Sequence, residues 1–571
     1  MTPRILLAAP LAAAQILALV GCNASSDRDD SGINLRQPVG NVIANIPPQC
    51  FTRTQDTAKT GAENPCYVCH AGAPEPNYLS QPELQLSYAF PQVRGGNMTP
   101  NEWSNLFVDR GEQIAAIPDS DVLAYVRTDN YRGSGTQIEL AQRLSAVPDA
   151  WDVNGNGQWD GYVPDAAFAF DALGYDHDPD GAPTGWRAFR YYPFPGAFMP
   201  TNGSFDDVLI RLPKPFRQDE SGRDDAVVYG INLAIVESLI RRADVPIAPV
   251  DEATLNVDLD RDGELGTARR VRFDWAPLEQ RDMSYVGLAR LEQAAGRVHL
   301  AAGLFPVGTE FLHSVRYLDL VDGQVVAAPR MKELRYSRKQ RWMSYSDLYQ
   351  QALRDDKEAD LDPDRPEQFL GNPESGLKSS LGWVYQGFIE DRNGRLRPQT
   401  REESQFCVGC HGGLSATDDG NFAFSRKLAD DGDNSGWGYW SQRPFRALPD
   451  PLRSDGQPEY ATYLKANHAG DEYRANGEVR DRYFDAANQP KADAFAALQN
   501  DLEPLMLPSA GRALALNKAY WLVVREQSFA KGRDAMLAPA RNVLREVTAD
   551  QSTGIETPLS APRLTTGPVP Q

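Results

Sequence analysis

Four of the six cysteines in this 571-residue chain fall into two five-residue motifs, Cys407 following Cys66 by 341 positions. The motifs are Cys66-Tyr67-Val68-Cys69-His70 and Cys407-Val408-Gly409-Cys410-His411. Of the remaining two cysteines, Cys22 closes an N-terminal leader and Cys50 stands alone. With those roles assigned, no intramolecular disulfide can form in the finished chain, although exported proteins ordinarily pair their cysteines. The fold must therefore rest on its core. A chain this long holds two or three ordinary domains, but the separation of the motifs points to one large body in which distant segments converge.

The leader has Arg4 as a short positive region and Ile5 to Val20 as an apolar stretch, broken by Pro10 and Gln15. That stretch is too short and too early for a membrane span. It runs into Leu19-Val20-Gly21-Cys22, which resembles a bacterial lipobox, in which the Cys becomes the lipidated first residue. The resemblance implies a signal peptide over 1–21, lipidation at Cys22 and a tethered body, with a plain signal peptide or an uncleaved anchor as alternatives. Asn23 stands where an inner-membrane retention signal would place Asp. That favours the outer membrane of a Gram-negative bacterium, with the body in the periplasm or at the cell surface.

The formal charge of −20 argues against nucleic acid as a partner, because phosphates need a basic surface. Gly (46) and Pro (42) are abundant enough to predict a loop-rich α+β fold. The spacing predicts helices over 99–117, 225–242, 346–359, 491–499 and 509–525, with Thr99 and Ser346 as caps. Two hairpins are expected, one around Val321-Asp322-Gly323 and one after Trp383–Ile389. The expected divisions are a flexible tether over 22–45, a first motif region over 46–150, a middle region over 151–330, a second motif region over 331–550 and a disordered tail over 551–571.

In Cys-x-x-Cys-His the two thiols are spaced to reach the two vinyl groups on one porphyrin edge, and the next residue presents an imidazole to the iron. A thioredoxin-like pair would not need the His, and a zinc site would want a second Cys/His pair nearby. Neither alternative accounts for two intact copies behind an export signal. On these two motifs the chain resembles the c-type cytochromes. The resemblance implies two haem c groups, one on Cys66 and Cys69 and one on Cys407 and Cys410, with His70 and His411 as proximal iron ligands.

What fills the sixth iron position separates electron transfer from catalysis. His313, in an apolar strand-like context, is the first candidate distal ligand, and His299 is the second. His468 lies in a polar stretch, and His177 occupies a spacer position of an acidic loop. Met98, Met199, Met331, Met343 and Met506 are further possibilities, each read first as filler. Cys50 is read by default as a buried small hydrophobe.

Three segments place oxygen ligands at alternate positions before a Gly, as in the first half of an EF-hand loop. They are Asp152/Asn154/Asn156, reinforced by Asp160, then Asp176/Asp178/Asp180, then Asp258/Asp260/Asp262. Val163, Arg187 and Arg269 replace the bidentate Glu at position twelve, so missing ligands must come from elsewhere. One such segment alone reads as an Asx-rich turn, but three together point to structural calcium. A weaker fourth candidate is Asp431/Asp433/Ser435.

The function these features favour is electron transfer between redox partner proteins at the cell envelope. The alternative is a di-haem peroxidase- or oxygenase-like enzyme with one open iron.

Overall fold

A computed structural model gives the structure of the protein. It describes residues 33–53, 66–93, 97–133, 135, 137–196, 200–430, 436–442, 445–467, 474, 476–558 and 564. Cys22, Met199, His468 and the Asp431–Ser435 segment lie outside the described residues, as does the lipobox.

The strands are β1 (Met98–Pro100), β2 (Tyr175–His177), β3 (Pro183–Phe189), β4 (Phe205–Arg211), β5 (Val245–Asp251), β6 (Thr267–Val271) and β7 (Glu310–Val321). They continue as β8 (Gln324–Lys339), β9 (Leu370–Asn372), β10 (Gly376–Lys378), β11 (Trp383–Glu390), β12 (Leu396–Pro398) and β13 (Glu546–Thr548). One antiparallel sheet runs β2-β3-β4-β7-β8-β11-β10-β9, with β12 also paired to β11. Its centre is the long β7–β8 hairpin, which turns at Asp322-Gly323 as the sequence predicts. The boundary expected at 330/331 falls inside β8, so the middle and second motif regions share one sheet.

Alternation along the strands sends Leu209, Leu312, Leu334 and Phe388 to one face, where they pack with Trp151 and Trp186. The opposite face carries Val208, Ile210 and Phe311, which pack with the helix Ala226–Arg241. That helix is apolar nearly all round and correspondingly buried. Its first turn is fixed by the Asp225 carboxylate, which accepts from the amides of Val227 and Val228. The register of β7 against β8 shifts at Val315/Arg316: Val315 faces Glu333 and Arg316 faces Met331. Lys332 is the extra residue of this bulge.

The fold is α+β and loop-rich, as expected. The helix expected over 99–117 is not formed as one element. Thr99 and Pro100 belong to β1, paired with β13, and only Gly111–Ala116 is α-helical there. The Thr99 backbone is paired with Val547 instead of capping a helix. The helix expected from Ser346 is Tyr345–Leu361, with its capping box at Ser344 and Asp347. The expected tether is packed in its second half, since Leu35, Ile43 and Ala44 are buried. Thr553 and Ile555 are buried in the segment expected to be a disordered tail. Ile43 and Phe51 share a core with Val543 and Val547, so the two ends of the described chain meet.

Candidate functional site

Both Cys-x-x-Cys-His segments open on one cavity of about 1210 Å³. That exceeds the roughly 300–1,000 Å³ usual for small-molecule sites. Cys50, Cys66, Cys69, Cys407 and Cys410 all line it, and among the described residues no two of them form a disulfide. Aromatic side chains of Tyr88, Phe90, Phe194, Phe406 and Phe422 contribute apolar wall.

The first motif is the short helix Cys66–Cys69 followed by His70. The second forms the last turns of the helix Arg401–His411. That helix begins in a reciprocal capping box, Thr400 Oγ1 accepting from Glu403 N and Glu403 Oε2 from Thr400 N. Arg397 clamps the same Glu403 carboxylate with two bonds of 2.8 and 3.0 Å. Gly409 is required inside this motif, because a Cβ there would lie 2.0 Å from the Asn45 carbonyl oxygen.

The segments downstream of the two motifs are tied together. The Ser415 hydroxyl donates to the Cys69 carbonyl and accepts from the Ala71 amide, each at 3.0 Å. Asn77 Nδ2 donates to the carbonyls of Leu414, Ser415 and Thr417 at 3.2–3.3 Å. Convergence of the two motifs is therefore a bonded arrangement and not mere proximity.

The two motif histidines differ in their surroundings. His411 Nδ1 is 2.7 Å from the Gly420 carbonyl oxygen, which selects the Nδ1–H tautomer and leaves the lone pair on Nε2. His70 Nδ1 is buried and has no hydrogen-bond partner among the described residues. Burial holds both imidazoles neutral, down to about 4, with the Gly420 carbonyl opposing this at His411 and Gln81 at His70. Burial also pushes the Cys410 and Cys50 thiols up, reinforced at Cys50 by Cys410, Cys66 and Cys69.

The floor of the cavity is the sheet. His313 on β7 lines it with Nε2 3.1 Å from Asp206 Oδ2 of β4, and Asp206 also accepts from the Tyr191 hydroxyl. Its cross-strand neighbour is Arg335, which acts electrostatically on Cys407 and Cys410. Glu333 Oε2 accepts from Arg335 Nε (2.9 Å), Arg533 Nη1 (2.8 Å) and Gln399 Nε2 (3.1 Å). Burial would raise this carboxyl, but the two guanidiniums, Arg335 first, hold it down at about 2.

Other sequence candidates lie elsewhere. His299 is exposed and lies tilted against Trp342, away from the cavity lining. His177 contacts Asp171 and the Gly181 carbonyl. Met331, Met343 and Met506 are buried in cores and Met98 is exposed.

In the acidic loops, Asp152 accepts from the amides of Gly155, Asn156 and Gly157, while Asp160 accepts from Asn154 and Asn156. Asp176 turns inward to the amides of Ala167 and Ala169, and Asp178 accepts from the Asp180 and Ala182 amides. The third loop differs. Asp258 and Asp260 bring carboxylate oxygens within 4.8 Å of each other and of Glu252, while Asp262 instead accepts from the Glu264 amide.

Sequence reasoning missed Asp206, Glu333, Arg533, Ser415 and Glu252. A run of charges in a strand-forming segment, Lys332-Glu333-Leu334-Arg335, was the available signal for the floor. For Ser415 and Glu252 there was none.

A family described as "-like lipoprotein" matches residues 34–501, a span that includes both motifs. The chain belongs to this lipoprotein family. An uncharacterized lipoprotein of Aquifex aeolicus (strain VF5) is 29% identical over 568 residues, covering 90% of each chain. No solved structure matches. Among the described residues of the lipoprotein, no helix is long and apolar enough to cross a membrane.

Proposed function

We propose that this lipoprotein is an exported di-haem c-type cytochrome, anchored through Cys22, that passes electrons between redox partner proteins at the cell envelope. Haem is attached at Cys66/Cys69 and at Cys407/Cys410, with His70 and His411 as iron ligands. The observation that carries the reading is that both motifs open on one cavity, with Ser415 of the segment after the second motif hydrogen-bonded to Cys69 and Ala71.

The residues present fit the group. The four motif cysteines line the cavity, the cavity is larger than a small-molecule site, and His411 keeps Nε2 for a metal by giving Nδ1 to Gly420. Covalent haem supplies one-electron redox chemistry. The chain's own part is positional and electrostatic. Ser415 and Asn77 fix the spacing of the two attachment segments, the aromatic wall excludes water, and Arg335 adds positive charge beside Cys407 and Cys410. Asp206 orients the His313 imidazole.

A second reading, a di-haem oxidoreductase with an open iron, has its own support. Beyond His70 and His411, His313 is the sole histidine, and no methionine, that lines the cavity among the described residues. Two irons would share one candidate distal ligand.

The test is a pyridine haemochrome assay followed by electron paramagnetic resonance on the oxidised protein. Two haems per chain with two low-spin signals, one turning high-spin in His313→Ala, is the result expected. A high-spin signal in the unmutated protein moves the assignment to the oxidoreductase, and absence of haem overturns both.

The reading extends to calcium at Glu252, Asp258 and Asp260, where Asp258 Oδ1 and Asp260 Oδ1 are shut off from solvent without a hydrogen-bond partner among the described residues. Metal analysis after dialysis should find calcium that a chelator removes together with thermal stability. A metal-free protein whose melting a chelator does not change rejects this part alone.

A further inference from the structure

The bulge in β8 has a chemical consequence at the cavity floor. Met331 and Leu334 pack on the far face of the sheet, while Lys332 and Glu333 both line the cavity. A regular strand would have turned Lys332 away. Instead Lys332 is 1% exposed, its ammonium donating to the Gly203 carbonyl at 2.7 Å and to Ser204 Oγ at 3.1 Å. It sits over the ring of Tyr520, 4.2 Å from the centroid. No carboxylate pairs with it among the described residues, and a third N–H has no acceptor there.

Neighbouring charges do not neutralise this cation at contact distance. Glu333 is already held by Arg335 and Arg533, and Asp534 by Arg474. Burial pushes the Lys332 ammonium down to about 7, with Glu390, Glu333 and Asp534 offsetting only part of that. Beside it, the Tyr520 hydroxyl is buried on the cavity wall with no hydrogen-bond partner among the described residues, in a side chain 3% exposed. A buried cation lacking a counter-ion and a buried hydroxyl lacking an acceptor are both costly, and one anionic oxygen would satisfy both.

We infer that this part of the floor binds a small carboxylate or oxyanion, with Lys332 as its counter-charge and the Tyr520 hydroxyl as a further donor. Two sources share that chemistry: a haem propionate, or a free anion diffusing into the cavity. The propionate source rests on the haem reading above, and the free-anion source does not.

The experiment uses the full-length protein, with haem content measured first, and formate as the free probe. Unmutated protein, Lys332→Met, Lys332→Arg and Tyr520→Phe are compared by thermal melting with formate and by spectroscopic redox titration. For a free anion, formate raises the melting temperature, Lys332→Met weakens formate binding by about tenfold or more, and Lys332→Arg retains it. For a propionate, formate has no effect, but Lys332→Met and Tyr520→Phe shift the midpoint of one haem and leave the other in place.

Two haems per chain, with neither formate response nor midpoints altered in Lys332→Met or Tyr520→Phe, overturns the inference and leaves the haem reading standing. A haem-free protein with Lys332-dependent formate binding does the reverse. Should Lys332→Met fail to fold, Tyr520→Phe and Lys332→Arg decide by the same readouts.

Discussion

Cys66–Cys69 is a single helical turn, whereas Cys407–His411 ends an eleven-residue helix with a capping box, a buried arginine clamp and the sheet floor beneath it. Val68 occupies the same motif position as Gly409, where the backbone of Asn45 crosses close enough to exclude any side chain. The His411 ring is fixed by a backbone carbonyl, that of Gly420, while the His70 ring has the Gln81 side chain beside it and its Nδ1 has no hydrogen-bond partner among the described residues. The same five-residue pattern is thus built into two environments of different rigidity. An attachment motif specifies spacing within one helical turn, and its surroundings specify how firmly the imidazole is aimed. The second site is the better anchored of the two.

That contrast is open to direct attack. The largest effect should come from the double substitutions Cys66→Ala/Cys69→Ala and Cys407→Ala/Cys410→Ala. Each should lower haem content from two to one per chain, read by mass and pyridine haemochrome. Two haems remaining in either variant would mean that motif is not an attachment site.

Next is Glu333→Gln, which leaves Arg335 and Arg533 buried without their carboxylate and should cost about 3–5 kcal/mol by denaturant titration. The sign with pH follows from a folded value held near 2 against an ordinary 4.5. The contribution of Glu333 is complete above pH 4.5 and is lost as pH falls from there toward 2, so the acid limb of the variant should be flatter.

Gly409→Ala forces the Asn45 backbone aside and should cost about 1–3 kcal/mol, whereas Val68→Gly should leave the second motif's haem environment unchanged. A Gly409→Ala protein as stable as the parent would dissolve the claimed difference in anchoring. Smallest is Ser415→Ala, which removes two hydrogen bonds between the motif segments and should cost about 1–2 kcal/mol. If Ser415 sets the spacing of the two haems, magnetic or redox coupling between them should change as well, and unchanged coupling would reduce Ser415 to a local tie.

The elements readable in advance were those governed by local rules. Asp225 caps Ala226–Arg241, Ser509 caps Ala510–Glu526, and Asp322-Gly323 turns the long hairpin, because each depends on residues a few positions apart. Thr99-Pro100 failed by the same standard. A capping box is a local preference, and pairing with Glu546–Thr548 overrode it from more than 400 residues away. The acidic loops show a similar division. Their alternating oxygens were legible, but two of the three loops spend those oxygens mainly on their own or nearby amides, and the one that gathers carboxylates needs Glu252 from the short helix Glu252–Leu255 that follows β5.

By itself, then, the sequence determined the lipobox-like leader, the two Cys-x-x-Cys-His motifs and the count of six cysteines, since each is a pattern within a few residues or a plain count. Tertiary structure decided that the motifs share one cavity, that His313 and not His299 faces it, and that Glu333, Arg335, Arg533 and Lys332 form its charged floor. Those outcomes depend on strand register, on one bulge and on contacts between segments hundreds of residues apart. A one-residue change of register reverses which side chains face the cavity, and nothing local in the chain fixes that.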